Sequence, residues 1–159
     1  MIQQIQPNLW SCLPTAFAMV MDYPVSVIIQ SLGHDGSKII PLWEHLPSPR
    51  NRQGFHIQEL IRLAVKAGWA VTPIEAEPTS EVDGKLMPLG LYVPNLSEMF
   101  VERWMLGTTG VVTGQAIASG MRHAVAWNMD GILDPSGVLK TIDEFAIEAF
   151  WKMELIKSD

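Results

Sequence analysis

The chain contains a single cysteine, Cys12, in the segment QPNLWSCLPTAFAMVM (Gln6 to Met21), where a loop-like stretch gives way to an apolar run. A thiol attacks as its thiolate, and the partial positive charge at a helix N-terminus favours that form. A nearby imidazole favours it further, and a third polar group can hold that imidazole in the tautomer the reaction needs. The sequence offers a candidate for each partner. His123 opens HAVAW, an apolar stretch suited to a central strand, where a polar first residue needs a reason. Asp134 follows in ILDPSG, across an Asp130-Gly131 turn that would bring the two onto adjacent strands. Gln6 carries an amide N–H2 able to point at a developing oxyanion. The set therefore reads as acyl-transfer chemistry, with Cys12 as nucleophile, His123 as general base, Asp134 as orienter and Gln6 as oxyanion donor. Asn128 is the reserve orienter.

Each of these residues also has an ordinary structural reading. A lone cysteine is commonly a small buried hydrophobe, His123 could be a strand residue bonded to its surroundings, and Asp before Pro is a common turn former. Their joint spacing is what carries the functional reading. Trp10 either shapes the pocket or packs at the helix entry, and with Leu13 and Arg122 it is a candidate substrate contact. His34, His45 and His56 show no metal-ligand spacing and read as solvated loop residues, so neither metal nor cofactor is expected. His34-Asp35 and Arg50-Asn51-Arg52 could line one wall of a cleft. Trp69, Trp104, Trp127 and Trp151 fall on expected regular elements and read as core.

Several elements must position these groups. Pro14 to Met21 is apolar nearly all round, the mark of a buried helix, and Pro14 suits its first turn. Cys12 then lies at or just before the start of a central helix. Pro24 to Leu32 reads as a second helix stopped by Gly33, and residues 33–55 as an irregular excursion. Ile57, Leu60, Ile61 and Ala64 repeat at helical spacing up to Gly68. Trp69 to Ile74 reads as a strand that Pro73 pushes to a sheet edge. Residues 76–95 read as loop, and Leu96 to Leu106 as a helix. Strands follow at Gly110 to Gly114, Arg122 to Asn128, Ile132 to Leu133 and Phe150 to Ile156, with Trp151, Met153 and Leu155 on one face of the last. Thr141-Ile142-Asp143-Glu144 fits a capping box before a short helix. Helices first and an antiparallel sheet afterwards make an α+β domain, one unit over residues 1–159.

The order Gln, then Cys six positions on at the start of an apolar helix, then a distant His opening a strand and an Asp-Pro after it, resembles the papain-like cysteine peptidases. Within that superfamily it is most similar to the C39-like peptidases, with their pattern Q-x5-C-G-P-x-A, H-x-V-x-x and D-P. The resemblance spans nearly the whole chain. It implies a papain-like fold and the same roles for Gln6, Cys12, His123 and Asp134 in cleaving a peptide or isopeptide bond, with a protein or peptide as substrate. Leu13 stands where that pattern has glycine, which bears on the orientation of the Cys12 backbone N–H. Amidases, deamidases, ubiquitin-like-protein hydrolases and acyltransferases use the same Cys-His arrangement, and a binding or inhibitory protein retaining the scaffold is a further alternative.

Composition narrows the partners. Eleven basic residues against seventeen acidic ones leave a net charge of −6, with no basic block to bind phosphates, so nucleic acid is not expected. A single cysteine forms no intramolecular disulfide. MIQQIQPN lacks the pattern of a secretion signal, and no apolar run reaches the roughly 20 residues of a membrane helix. The expectation is a cytoplasmic protein with no membrane partner.

Overall fold

The computed structural model describes residues 1–38, 54–76, 79–82, 85–88 and 96–156. Among the described residues, four α-helices, α1 (Cys12–Met21), α2 (Val25–Leu32), α3 (Ile57–Lys66) and α4 (Leu96–Phe100), accompany seven strands. These are β1 (Trp69–Glu75), β2 (Thr79–Val82), β3 (Lys85–Pro88), β4 (Thr109–Ala116), β5 (Arg122–Asn128), β6 (Gly131–Leu133) and β7 (Phe145–Leu155). Five of them form one antiparallel sheet in the order β1-β7-β4-β5-β6, so the fold is α+β. β1 lies at an edge, where Pro73 costs no central ladder bond.

The sheet is covered on both faces, which is why its middle strands are apolar without strict alternation. Val111, Ala124, Ala126 and Met153 pack with α1, α2 and α3, whereas Val112, Val125, Trp127, Phe145, Ile147 and Phe150 face a second cluster with Val101 and Met105. α1 is buried from Leu13 through Met21, as its all-round apolar sequence requires, and lies across β5. Gly33 ends α2 in the left-handed region at φ 79°.

The observed elements depart from expectation in several places. Residues 76–95 contain the separate β2-β3 hairpin rather than loop alone. TSEV and KLMP carry no period-2 apolar pattern by which a sequence could announce such strands. The stretch read as one helix from Leu96 is α4 followed by a π-helical turn, Val101–Met105. Strand β7 begins at Phe145, five residues before its expected start, with Phe145, Ile147 and Phe150 all in the second cluster. Its expected one-faced stripe also fails at the end: Met153 is buried while Leu155 is exposed. The β5-β6 turn is one residue earlier than expected, since Asn128 pairs with Gly131 and leaves Met129 and Asp130 as its loop. Met129 takes φ 61° there. The Thr141 capping motif opens a single 3₁₀ turn, with the Glu144 carboxylate accepting the Thr141 N–H at 3.2 Å. Trp104, expected in the core, is 44% exposed with the Arg103 guanidinium over its ring. No single helix among the described residues is long and apolar enough to cross a membrane.

Candidate functional site

Cys12 is the first residue of α1 and is half-buried, on a helix whose remaining residues are locked in the core. Ser11 and Asn8 engage each other: the Ser11 hydroxyl accepts the Asn8 N–H at 3.3 Å and donates to the Asn8 carbonyl at 3.2 Å. Ser11 therefore places no side-chain oxygen on the first turn of α1. Pro14 has no N–H to satisfy, and the first hydrogen bond into the helix runs from the Thr15 N–H to the Ser11 carbonyl at 3.1 Å. The positive end of a buried helix is thus presented uncapped beside the thiol.

His123 is the second residue of β5, and the antiparallel return through β6 carries Asp134 back beside it. His123 Nε2 lies 2.5 Å from Asp134 Oδ1, which leaves Nδ1 as the ring nitrogen not engaged by the carboxylate, on an imidazole that lines the same cleft as Cys12. Asp134 is 2% exposed, and donors surround it. Oδ1 also accepts the Ser136 N–H at 2.9 Å, while Oδ2 accepts the Ser136 hydroxyl at 2.5 Å and the Val138 and Leu139 N–H groups at 3.0 and 2.7 Å. Burial alone would raise the Asp134 pKa, but the bonds from His123, Ser136 and Leu139 hold this carboxyl well below the usual range. Burial works against the charged imidazole too. The bond to Asp134, with the neighbouring Cys12, outweighs it and pushes the His123 pKa up to about 9. Such an arrangement favours a charged imidazole backed by a fixed carboxylate.

Gln6 is tied to the same loop by its backbone N–H, which donates to the Pro135 carbonyl at 2.9 Å. Its side-chain Nε2 donates to the Asn8 carbonyl at 2.9 Å, and its Oε1 is buried without a partner. Gln3 Nε2 donates to the Asp134 carbonyl at 2.7 Å, so the N-terminal segment braces the turn that carries the orienting residue. Asn128 lies at the opposite end of β5, paired with Thr109 and Gly131, and is not the partner of His123.

The thiol and imidazole open onto a cleft of about 670 Å³, which Trp10, Leu13 and Arg122 also line. The sequence reading did not anticipate Leu9, Phe55, Ile57, Glu75, Thr113, Gly114, Glu148 or Trp151 there. Trp151, expected as core, is only partly so: its indole N–H donates to the Thr113 hydroxyl at 2.9 Å on the cleft wall. Phe55 and Trp151 are apolar whether they face a core or a cleft, so no local signal separates the two. His34 is not a solvated loop residue. Its Nε2 lies 2.7 Å from Glu59 Oε1, its Nδ1 accepts the Gly36 N–H, and its ring stacks on Phe55 at 4.5 Å. His56 is the N-cap residue of α3, its N–H held by Glu59 at 2.8 Å. His45 and Arg50-Asn51-Arg52 lie outside the described residues. No group of three or more His, Cys, Asp or Glu side chains among the described residues could hold a metal ion. The chain matches no protein-family model and no curated protein sequence.

Proposed function

We propose that this chain is a cysteine hydrolase of papain-like fold that cleaves peptide or isopeptide bonds. One observation carries the reading: an imidazole whose Nε2 is held by a buried, fully bonded carboxylate opens onto the same cleft as a thiol at the uncapped start of a buried helix. In the proposed reaction the Cys12 thiolate adds to the acyl carbon, and the Cys12 backbone N–H and the second amide hydrogen of Gln6 bind the resulting oxyanion. His123 gives its proton to the departing amine, and the C–N bond breaks to leave a thioester. A water molecule, losing its proton to His123, then attacks the thioester, releases the acid and restores the thiol pair. Asp134 touches none of the reacting atoms. It fixes the tautomer and the orientation of His123.

The test is the rate of iodoacetamide alkylation of the single thiol at pH 6 to 7, in the wild type and in His123→Ala, followed by product analysis on peptide substrates. Alkylation at least about tenfold slower in the variant is expected, because the imidazolium that sustains the thiolate is gone. Equal rates in the two proteins would refute the pairing. Hydrolysis to a free acid identifies a peptidase, whereas capture of the acyl group by an added amine identifies an acyltransferase on the same site.

A further inference from the structure

The strand register of β7 does something at the cleft that the Cys-His pair does not use. Thr113 of β4 pairs with Ala149, but the next residue, Gly114, pairs with Ile147, so Glu148 is an extra residue bulged out of the ladder. A bulge turns a side chain away from its regular alternation and is a common device beside functional sites. Here both Glu148 and its neighbour Ala149 line the cleft. The close approach at the bulge needs glycine on the opposite strand: a Cβ on Gly114 would collide with the Ala146 carbonyl oxygen. Gly114 in turn pairs with His123 across β5, so the bulge is one ladder step from the imidazole.

A second carboxylate stands next to the first. Glu75 ends β1 opposite Ala149, and the following Ala76 N–H donates to the Glu148 carbonyl at 3.0 Å. Glu75 makes no ion pair among the described residues, whereas Glu148 pairs with Arg122 at 2.8 Å. Both members of that pair are about half exposed, and such pairs open at little cost. Besides Cys12 and His123, the ionisable groups that line the cleft among the described residues are two carboxylates and one guanidinium, which together carry −1 in a chain of net charge −6. The wall contributed by Trp10, Leu13, Phe55, Ile57 and Trp151 is apolar, and Ala124 and Ala149 leave space beside it.

We infer that Glu75 and the bulged Glu148 are specificity-determining residues, and that the cleft takes a peptide with a bulky apolar side chain next to a cationic group. The inference rests on the hydrolase reading and adds the substrate class. The cation is either a Lys or Arg side chain or a free peptide amino terminus, since both present the same charge to the carboxylates.

Peptide vinyl sulfones test this with the full chain, because the Cys12 sulfur adds to the vinyl carbon and His123 supplies the proton to the adjacent carbon. Probes carry Leu together with Lys, norleucine or Glu in the two residues preceding the vinyl group, each with an acetylated and a free amino end, and labelling is followed by intact mass. Expected is labelling about tenfold faster with Lys than with norleucine, the size two exposed carboxylates can supply together, and slowest with Glu. Glu75→Gln and Glu148→Gln each lower the ratio, and Glu75→Lys reverses it towards the Glu probe. A free-amine norleucine probe that matches acetylated Lys assigns the cation to the chain terminus and supports the same site. Labelling that depends on His123 but is indifferent to charge overturns this inference alone. Labelling that is slow with every probe and unchanged in His123→Ala overturns the hydrolase reading, and the inference with it.

Discussion

Replacing Asp134 with asparagine tests the electrostatics of the site at its source. In the folded protein the His123 imidazolium persists from its ordinary 6.5 up to about 9, a preference for the charged form of about 3 kcal/mol. Because the folded value is raised, this stabilisation is fully present below pH 6.5, declines as pH rises and is gone above about 9. Asp134, held below its ordinary 3.8, contributes in the opposite sense: its stabilisation is present above that value and is lost as acid protonates it. Stability from this pair is therefore greatest between about pH 4 and 6.5. Asp134→Asn removes the carboxylate charge while burial of the imidazole remains, so the His123 midpoint falls towards or below 6.5. The loss of stability between pH 6.5 and 9 shrinks with it. An Asn amide group placed at the Oδ2 position would also face the Val138 and Leu139 N–H donors, adding a destabilisation of about 2 kcal/mol at every pH. Cys12→Ala removes the other partner and lowers the same midpoint without disturbing the Asp134 turn. The assay is a ¹H–¹³C NMR titration of the imidazole signals, four in all and assigned by loss of one in His123→Gln, run beside urea unfolding at pH 6 and 9.5. A wild-type midpoint at or below 6.5, or stability that does not change between those pH values, would refute the charge pair.

Three further outcomes follow from particular contacts. Gly114→Ala drives a methyl into the Ala146 carbonyl and is expected to cost about 3 kcal/mol or more in urea unfolding; a variant as stable as wild type would disprove the close approach. Met129→Gly relieves a left-handed residue at φ 61° in an exposed turn and should raise stability by about 0.5 kcal/mol, so a lower urea midpoint would count against that turn geometry. Gln6→Ala should reduce kcat about 100-fold with little change in KM if its amide binds only the oxyanion, and a change confined to KM would assign it to substrate binding instead.

What was legible in the sequence was mainly what local chemistry dictates. An all-round apolar run after Cys12 must be buried, and a thiol at its start must sit at a helix N-terminus; α1 begins at Cys12. HAVAW had to be a central strand, and β5 spans Arg122–Asn128 as read. The Asp134-Pro135 turn after a short returning strand sufficed to bring a carboxylate to the imidazole. Pro73 marked an edge and Gly33 a helix end, each by its own backbone restriction.

The tertiary structure alone decided which apolar residues face the cleft and where the ladder slips. Phe55 and Trp151 are as apolar as any core residue, and only the gap between α1 and the sheet turns them into a wall. The extra residue at Glu148 carries no local signature, because its neighbours would satisfy either register until Gly114 meets the Ala146 carbonyl from a distant strand. Periodicity and capping act over a few residues and are written in neighbouring side chains, whereas register and cavity shape follow from close packing between segments far apart in the chain.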